Sequence, residues 1–307
     1  GIIRPALFEE IGDVYIKNVH FTPFRDDENG KQIWKARVET EIVNLGDRTL
    51  DLEVMNLITR EEGMALNPEA WEQRSLIHIE ARQTIRHTAV ISCDGAREWN
   101  TKEPKLYFLQ TSLVLAGACV DDYIDRVAFR TVKVEGSKIL LNGSPVFLKG
   151  FNRHEDYGTI GSAVPLQMMV QDLDLMQETG ANAVRTCHYP NDERFLDLCD
   201  ERGILVWEEN HARGMDLARM QNPNFDRQCA DCIDEMIAQH YNHPSIVIWG
   251  ILNECASETK EGREKYKKQY EQIKSLDTTR PATSATCRHF TDICLDLPDV
   301  VSWNMYP

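Results

Sequence analysis

A single glutamate, Glu254, stands out as a candidate catalytic acid because of the residues that precede it. It follows the strongly apolar run at residues 245–252 (S-I-V-I-W-G-I-L), with Asn253 between them. A carboxyl group beside an apolar wall tends to keep its proton. A protonated carboxyl group can deliver that proton to a leaving oxygen. A helix N-cap or an ion pair at the surface is the alternative explanation for this glutamate.

Other polar residues also follow short apolar runs. They are Asn152, Arg153, His154, Glu155 and Asp156, then Arg185, His188 and Tyr189, then Glu208, Glu209 and Asn210, and finally Asn304 and Tyr306. Sugar hydroxyls need both donors and acceptors, so this set suits a polyhydroxylated ligand, and Trp249 and Trp303 could supply apolar faces. Glu208 and Glu209 are adjacent on a predicted strand, so at most one faces the site and the other is expected in a salt bridge.

The two histidines of this set leave alternatives open. His188 lies in T-C-H-Y-P, where it either binds a ligand or packs in a turn fixed by Pro190. His154 lies in N-R-H-E-D, where Arg153 and Glu155 could equally pair as structural ions. Both histidines could also be metal ligands. No H-x-x-x-H spacing supports a metal, so we prefer hydrogen bonding to a sugar.

The elements that must position these residues alternate between strand and helix from residue 139 onward. We predict strands at 146–151, 183–186, 204–207, 245–252, 282–286 and 300–304, and helices at 166–179, 192–202, 224–241 and 259–275. This alternation is typical of a parallel sheet with helical crossovers. Six strands followed by polar residues fit an incomplete β/α barrel, whose active site lies where the strands end. A doubly wound sheet is the alternative, although no G-x-G-x-x-G follows any strand.

The earlier part of the chain, residues 14–131, is typical of an all-β domain. We predict strands at 14–22, 33–43, 49–58, 76–81, 85–92, 106–115 and 124–134, separated by turn residues such as Asn29-Gly30 and Asp94-Gly95. About seven short strands indicate an immunoglobulin-like sandwich. Residues 1–12 are too short for a domain and look like the tail of something upstream.

The composition narrows the classes of function. The chain has 307 residues, with 34 Lys and Arg against 49 Asp and Glu, for a formal net charge of −15. An acidic chain repels phosphate backbones, so we predict no nucleic-acid partner. No apolar run reaches the ~18 residues of a membrane helix, so we predict no membrane association. The nine Cys residues show no disulfide pattern, which favours a cytoplasmic protein, and Cys229 and Cys232 are interpreted as ordinary helix residues.

Three stretches of the sequence resemble glycoside hydrolase family 2, which holds β-galactosidases, β-glucuronidases and β-mannosidases. They are residues 141–156 (L-N-G-S-P-V-F-L-K-G-F-N-R-H-E-D), 180–191 (G-A-N-A-V-R-T-C-H-Y-P-N) and 242–254 (N-H-P-S-I-V-I-W-G-I-L-N-E). The resemblance implies that residues 133–307 are most of a (β/α)8 TIM barrel and that residues 13–132 are the family's immunoglobulin-like domain. It implies that residues 1–12 end an upstream jelly-roll sugar-binding domain.

The resemblance also implies a retaining β-glycosidase acting on terminal β-linked sugars, with β-galactosides or β-glucuronides as the expected substrates. Glu254 would be the general acid/base, and Asn253 would bind the sugar 2-hydroxyl. The remaining glycone ligands would be His154, His188, Arg185, Asn304 and Tyr306, where Asn304 and Tyr306 match the N-x-Y motif of the glucuronidase branch. Arg185 could instead simply pair with an acid.

Two departures from the family pattern affect the expected activity. A retaining mechanism needs a second carboxylate as nucleophile, which the family places at the end of the seventh barrel strand. We therefore expect the nucleophile beyond residue 307 and little turnover by these 307 residues alone. The resemblance separately implies a homo-oligomer at full length, because family members commonly oligomerise through such sandwich domains. Arg213 stands where the galactosidase branch has a magnesium-binding His, so we predict no metal and no organic cofactor, although His211 could substitute.

Two other classes of function remain open from the sequence. The same polar residues could form a non-catalytic carbohydrate-binding site on this fold. Alternatively, the sandwich could dock partners in an interaction protein. The identity of the residue at the end of a seventh strand would separate an enzyme from a binding protein.

Overall fold

The computed structural model describes residues 2–28, 30–60 and 70–306, and the chain forms two compact units. One unit comprises Pro5–Arg130 and Tyr241–Pro244. The other comprises Gly1–Arg4, Thr131–His240 and Ser245–Pro307. Within the described residues, no helix combines the length and the apolar character required to cross a membrane.

The first unit contains two antiparallel sheets. Its strands are β1 (Val14–Glu28), β2 (Lys31–Asn44), β3 (Leu50–Arg60), β4 (Trp71–Ile79), β5 (Thr84–Cys93), β6 (Tyr107–Leu115) and β7 (Ala118–Val127). The sheets have the orders β1-β2-β5 and β4-β3-β6-β7. Residues of alternating burial along β2 and β3 contribute every second side chain to one core. The predicted immunoglobulin-like sandwich is confirmed.

The prediction of one strand at residues 124–134 is wrong. β7 ends at Val127, and a separate strand, β8 (Val132–Glu135), begins after a break. Phe129 lies in this break, where its ring packs edge-on against Phe21 and Tyr107 at centroid distances of 5.4 and 5.1 Å. The chain leaves the sheet here because a fully buried aromatic side chain fills the core instead of continuing the strand.

A small antiparallel sheet opens the second unit, with order β10-β9-β8. β9 (Lys138–Leu141) and β10 (Ser144–Val146) are joined by Asn142 and Gly143, whose φ angles of 52° and 77° are typical of a two-residue hairpin turn. The prediction of one strand at 146–151 is therefore wrong. Val146 pairs with Ile139 in the hairpin, and a new strand begins at Gly150.

A parallel sheet of six strands follows, in the order in which the strands occur along the chain. The strands are β11 (Gly150–Arg153), β12 (Ala183–Thr186), β13 (Leu205–Glu209), β14 (Ile246–Asn253), β15 (Ala282–Thr286) and β16 (Val300–Trp303). The helices are α1 (Leu166–Glu178), α2 (Glu193–Arg202), α3 (Leu217–Met220), α4 (Phe225–His240) and α5 (Lys260–Leu276). The predicted incomplete β/α barrel is confirmed.

Local signals explain where these elements begin and end. The Asp192 side chain caps α2 by accepting a hydrogen bond from the Arg194 backbone N–H, and Gly203 ends that helix with a left-handed φ of 68°. All eight residues of β14 are buried, as is typical of a central strand in a parallel sheet. Cys229 and Cys232 lie on α4 as predicted, and all nine cysteines are free.

Gly250 on β14 permits a close approach of β13, and this generates a first prediction. A Cβ atom at Gly250 would lie 2.4 Å from both Glu209 Cβ and Trp207 Nε1. We expect Gly250→Ala to lower the free energy of unfolding by about 2 kcal/mol through overpacking. The measurement is the urea unfolding midpoint followed by tryptophan fluorescence.

The matched control is Gly158→Ala, because a Cβ atom at Gly158 would have no neighbour within 4 Å. This variant should unfold at the midpoint of the parent protein. Equal midpoints for Gly250→Ala and Gly158→Ala would contradict the assigned contact between β13 and β14.

Candidate active site

A buried arginine, Arg185 on β12, connects the ends of several strands. Its Nε and Nη2 atoms donate hydrogen bonds to the two carboxylate oxygens of Glu209 at 2.8 and 3.1 Å. Nη2 also donates to Asn253 Oδ1 at 2.8 Å, and Nη1 donates to Asn304 Oδ1 at 3.2 Å. The guanidinium carbon lies 4.3 Å from the centre of the Trp207 ring. Arg185 therefore pairs with an acid, which was the alternative to direct sugar binding.

Glu254 follows Asn253 at the end of β14, and its carboxylate is held by two donors. Asn304 Nδ2 donates to Oε1 at 2.6 Å, and the Tyr306 hydroxyl donates to the same oxygen at 3.0 Å. The Glu254 backbone N–H donates to the Ala285 carbonyl at 2.9 Å. The structure thus brings together Glu254, Asn253, Asn304 and Tyr306, as the sequence led us to expect.

The Glu254 backbone adopts a φ of 54°, in the left-handed region that favours glycine. Such a conformation costs a non-glycine residue about 1–2 kcal/mol. No residue pattern around Glu254 predicts this backbone conformation. A strained residue at this position is consistent with a functional site, because the strain directs the side chain away from the path of the strand.

The two predicted sugar-binding histidines lie side by side. The His154 and His188 rings are 5.3 Å apart in a T-shaped arrangement. His188 Nδ1 is 2.6 Å from Glu209 Oε1, so this nitrogen donates to the carboxylate and Nε2 is left for a ligand. His154 is exposed, and its pKa lies below the ordinary value because of partial burial, with the charges of His188 and Arg213 adding to the effect.

Several residues of the predicted rim serve the scaffold. Glu208 accepts from His240 Nδ1 at 2.9 Å and from the Asn191 backbone N–H at 3.0 Å, so Glu208 and Glu209 have different partners, as their adjacency predicts. Arg153 and Glu155 do not pair with each other in a salt bridge. Arg153 instead donates to Asp172, and Glu155 accepts from Arg4. Asn210, another residue of the predicted set, donates to Gln269.

The two tryptophans that were expected to face the ligand differ in their surroundings. Trp303 lines a cavity of about 210 Å³ together with Arg185, Trp207 and Asn304. Trp249 is fully buried, and its Nε1 donates to Asp277 at 2.8 Å. The expectation that Trp249 offers an apolar face to the ligand is therefore wrong, because its ring packs against the helix side of the sheet.

Among the predicted site residues, the side chains that could hold a metal do not suit magnesium. Both glutamates of the 207–215 segment are engaged, Glu209 by Arg185 and His188 and Glu208 by His240. The ligand atoms of His154, Cys187 and His188 all lie within 4.8 Å of one another. Two imidazoles and a thiol suit a soft cation, whereas magnesium prefers oxygen ligands. The absence of a cofactor remains a prediction.

Sequence reasoning missed one residue that supports this site, Arg4. Its Nη2 atom donates to Glu155 Oε2 at 3.0 Å and to the Pro190 carbonyl at 2.5 Å. Glu155 is buried directly after His154, and its pKa is raised by that burial although the Arg4 charge opposes the rise. No motif connects residues this distant in sequence, so only the folded structure reveals the contact.

Comparison with known proteins places both units in one family. A sequence family described as "Glycosyl hydrolases family 2, TIM barrel domain" matches residues 132–306, and "Glycosyl hydrolases family 2" matches residues 14–130. The β-glucuronidase of Sus scrofa is 34% identical over 315 residues, covering 100% of this chain and 45% of the relative. The β-galactosidase of Thermoanaerobacter pseudethanolicus is 27% identical over 317 residues, covering 99% and 38%.

Solved structures agree with this assignment. The GH2 β-galacturonidase from Eisenbergiella tayi, bound to galacturonate, has a TM-score of 0.88 at 49% identity and covers 97% of this chain and 51% of its own. The Bacteroides uniformis β-glucuronidase has a TM-score of 0.85 at 26% identity, covering 96% and 38%. The chain thus spans about half or less of the length of these relatives. The family resemblance seen in the sequence is confirmed.

The left-handed backbone of Glu254 generates a second prediction. Because glycine adopts positive φ without a Cβ clash, we expect Glu254→Gly to be more stable than Glu254→Ala by about 1 kcal/mol. Both variants lose the same carboxylate, so the difference isolates the backbone. Chemical denaturation of the two purified variants measures it.

Glu258 provides the control, since it lies four residues further on and is not among the residues with positive φ. There the order should reverse, with Glu258→Gly less stable than Glu258→Ala. The same order at both positions would contradict a strained Glu254.

The Arg4–Glu155 contact generates a third prediction, on pH dependence. The pKa of the buried Glu155 carboxyl is raised in the folded protein. The protein therefore loses stability as the pH rises through that pKa, because a desolvated group must then ionise. We expect Arg4→Ala to destabilise the protein more at pH 8 than at pH 5. The loss at pH 8 should be about 1 kcal/mol, since Arg4 is 37% exposed and its charge is partly screened.

The readout is the denaturation midpoint at the two pH values. When Arg4→Ala is added to Glu155→Gln, it should destabilise the protein equally at the two pH values, because the titrating carboxyl is gone. If Arg4→Ala destabilised the protein equally at both pH values, the Glu155 carboxyl would not be the group that Arg4 stabilises.

Proposed function

The chain belongs to glycosyl hydrolase family 2, and we propose that its protein is a retaining β-glycosidase in which Glu254 is the general acid/base. The observation that carries the proposal is the environment of this one carboxyl group. It lies at the carboxyl end of a buried strand, and Asn304 and Tyr306 orient it through Oε1. Two imidazoles and an asparagine at neighbouring strand ends complete a set of groups suited to a sugar.

The geometry suggests how Glu254 delivers its proton. Asn304 and Tyr306 both donate to Oε1, so this oxygen acts as an acceptor and the proton belongs on Oε2. Oε2–H protonates the glycosidic oxygen as the bond from that oxygen to the anomeric carbon breaks. In this first step the nucleophilic carboxylate forms a bond to the anomeric carbon. In the second step, the Glu254 carboxylate takes a proton from the water that attacks the anomeric carbon, and the bond from that carbon to the nucleophile breaks.

Asn253 and the histidines are proposed to hold the glycone. Asn253 Oδ1 already accepts hydrogen bonds from Arg185 and Asn304, which leaves the Nδ2 amide to donate to a sugar hydroxyl. His188 offers Nε2 because Nδ1 is committed to Glu209. Arg185 is proposed as a positioning residue, because its guanidinium is occupied by Glu209, Asn253 and Asn304.

The nucleophile of a retaining mechanism is a second carboxylate about 5–5.5 Å from the acid/base. Glu209 is the carboxylate that shares the Arg185 network, and it accepts from both Arg185 and His188. Three charge-assisted hydrogen bonds stabilise its negative charge and weaken it as a nucleophile. We therefore propose that the nucleophile comes from a part of the protein outside residues 1–307.

The substrate is proposed to be a terminal β-linked sugar. The relatives are named for β-glucuronides, β-galactosides and β-galacturonides. These names agree on the β-linkage and on hydrolysis but differ in the glycone. Membership of the family alone thus leaves the choice between a neutral sugar and a uronic acid open.

The fourth prediction tests the acid/base role in the protein expressed from its full reading frame. Aryl β-glucuronide, β-galacturonide, β-galactoside and β-glucoside are assayed in parallel, each with a good and a poor leaving group. Glu254→Gln should lower kcat/KM for the poor leaving group by about 10³-fold, because general acid catalysis typically supplies 10²–10⁴. The loss should be smaller for the good leaving group, which departs without protonation.

Glu258→Gln is the matched control, since Glu258 is exposed and pairs with Arg288 at 3.2 Å. It should retain the parent activity. A protein that binds sugars but cleaves none of the glycosides would instead support the non-catalytic carbohydrate-binding function. Equal losses for good and poor leaving groups would contradict the general-acid role.

A further inference from the structure

Three arginines lie in β11, in β12 and in the loop that follows β13, and they differ in how fully the protein engages their charge. Arg185 is bound by Glu209, Asn253 and Asn304. Arg153 is buried and donates to Asp172 at 2.9 Å and to Asn191 at 2.8 Å. Within the described residues, the Arg213 guanidinium has no hydrogen bond and no ion pair, and the residue is exposed.

The backbone fixes Arg213 beside the catalytic strand end. Arg213 forms a parallel bridge with Asn253, in which the Asn253 N–H donates to the Ala212 carbonyl at 3.0 Å. The Gly214 N–H donates to the Asn253 carbonyl at 2.8 Å. Arg213 is therefore held on both sides by the residue that precedes Glu254, and its backbone position is not that of a free surface loop.

The side chain of Arg213 extends toward the sugar-binding histidines. Its guanidinium carbon lies 5.8 Å from the centre of the Tyr189 ring, and the Tyr189 hydroxyl is 3.4 Å from His154 Nδ1. The Arg213 charge contributes to the lowered pKa of His154, after burial and His188. Asp156 acts on His154 in the opposite sense but forms no ion pair with Arg213.

An unpaired cation beside a sugar site has a chemical consequence. A neutral hexose offers hydroxyl groups, which the histidines and Asn253 are proposed to bind. A sugar carboxylate offers two oxygens in the planar arrangement that a guanidinium binds through paired hydrogen bonds. Arg153 Nη2 also lacks a partner, but it is buried, so Arg213 is the one of the three arginines with exposed donors available for such a group.

We infer that Arg213 binds the carboxylate of the glycone, so that the protein acts on β-linked uronic acids in preference to neutral hexosides. This inference rests on the proposed function, because it places the uronate in the site that Glu254 serves. It makes Arg213 a specificity-determining residue, although this position was singled out in the sequence only as a departure from a magnesium-binding pattern.

The test uses the full-length protein and two matched pairs of substrates that differ only at C6. The pairs are aryl β-glucuronide with aryl β-glucoside, and aryl β-galacturonide with aryl β-galactoside. Arg213→Ala should lower kcat/KM for the preferred uronide by about 10²-fold, as expected for the loss of charged hydrogen bonds. Activity on the matching neutral hexoside should change less than about threefold, since that substrate has no carboxylate to lose.

Two further variants sharpen the result. Arg213→Lys keeps the charge but loses the paired geometry, so its activity on the uronide should lie between those of the parent and Arg213→Ala. Arg219→Ala removes an exposed arginine six residues away on α3 and should match the parent on all four substrates. A parent that prefers the neutral hexosides, or equal losses on uronide and hexoside in Arg213→Ala, would overturn the inference.

A binding measurement separates failure of this inference from failure of the proposed function. Glucuronate, galacturonate, glucose and galactose are titrated calorimetrically into the parent and into Arg213→Ala. Binding of a uronate to the parent, lost in Arg213→Ala, would support the inference even if no glycoside were cleaved. Hydrolysis of glycosides without any uronate preference in binding or turnover would support the proposed function and overturn the role of Arg213.

Discussion

The buried ion pair between Arg185 and Glu209 is the interaction on which the candidate site depends. Both side chains are less than 10% exposed, at 7% and 2%. Desolvating two charges is costly, and the pair is tolerated because every charged atom finds a hydrogen-bond partner. Removing either partner would leave a buried, uncompensated charge, which costs about 3–5 kcal/mol. The pair also links β12 and β13 to Asn253 on β14 and to Asn304 after β16, so the positions of four strand ends are set together.

Glu254 shows how this rigid network supports an unfavourable local conformation. Its left-handed φ is opposed by the intrinsic preference of the chain, and hydrogen bonds from Asn304 and Tyr306 hold the resulting side-chain direction. Asn304 also accepts a hydrogen bond from Arg185, so this one asparagine connects the ion pair to the acid/base candidate. Strain persists at such positions only when the surrounding structure determines them from several sides. The network thus accounts for how the strained conformation of Glu254 is maintained.

The sequence predicts most of the parallel sheet because apolar runs and helix caps are local signals. Asp192 and Gly203 bound α2 as their residue types indicate. Two predictions failed because tertiary packing decides the outcome. Phe129 interrupts an apparently continuous strand to fill a core. Trp249 lies on a strand whose residues are all buried, so apolar character does not show which side chains face the ligand. Polar residues after strands could be found as a set. Which of them serve the scaffold, and that Arg4 supports Glu155, depends on contacts between distant parts of the sequence.

The contrast between Arg185 and Arg213 shows why residue type alone does not assign a role. Both are arginines near the same strand ends, but one charge is neutralised by a buried carboxylate and the other is not. A neutralised arginine fixes geometry, whereas an unpaired one contributes a positive potential to the site. Burial is the main cause of the lowered pKa of His154, and this potential adds to it after the charge of His188. The uncharged imidazole keeps one ring nitrogen as an acceptor and the other as a donor. The same positive potential attracts an anionic group on the ligand. One side chain can therefore help to keep the neighbouring imidazole neutral and, by our inference, select a charged glycone.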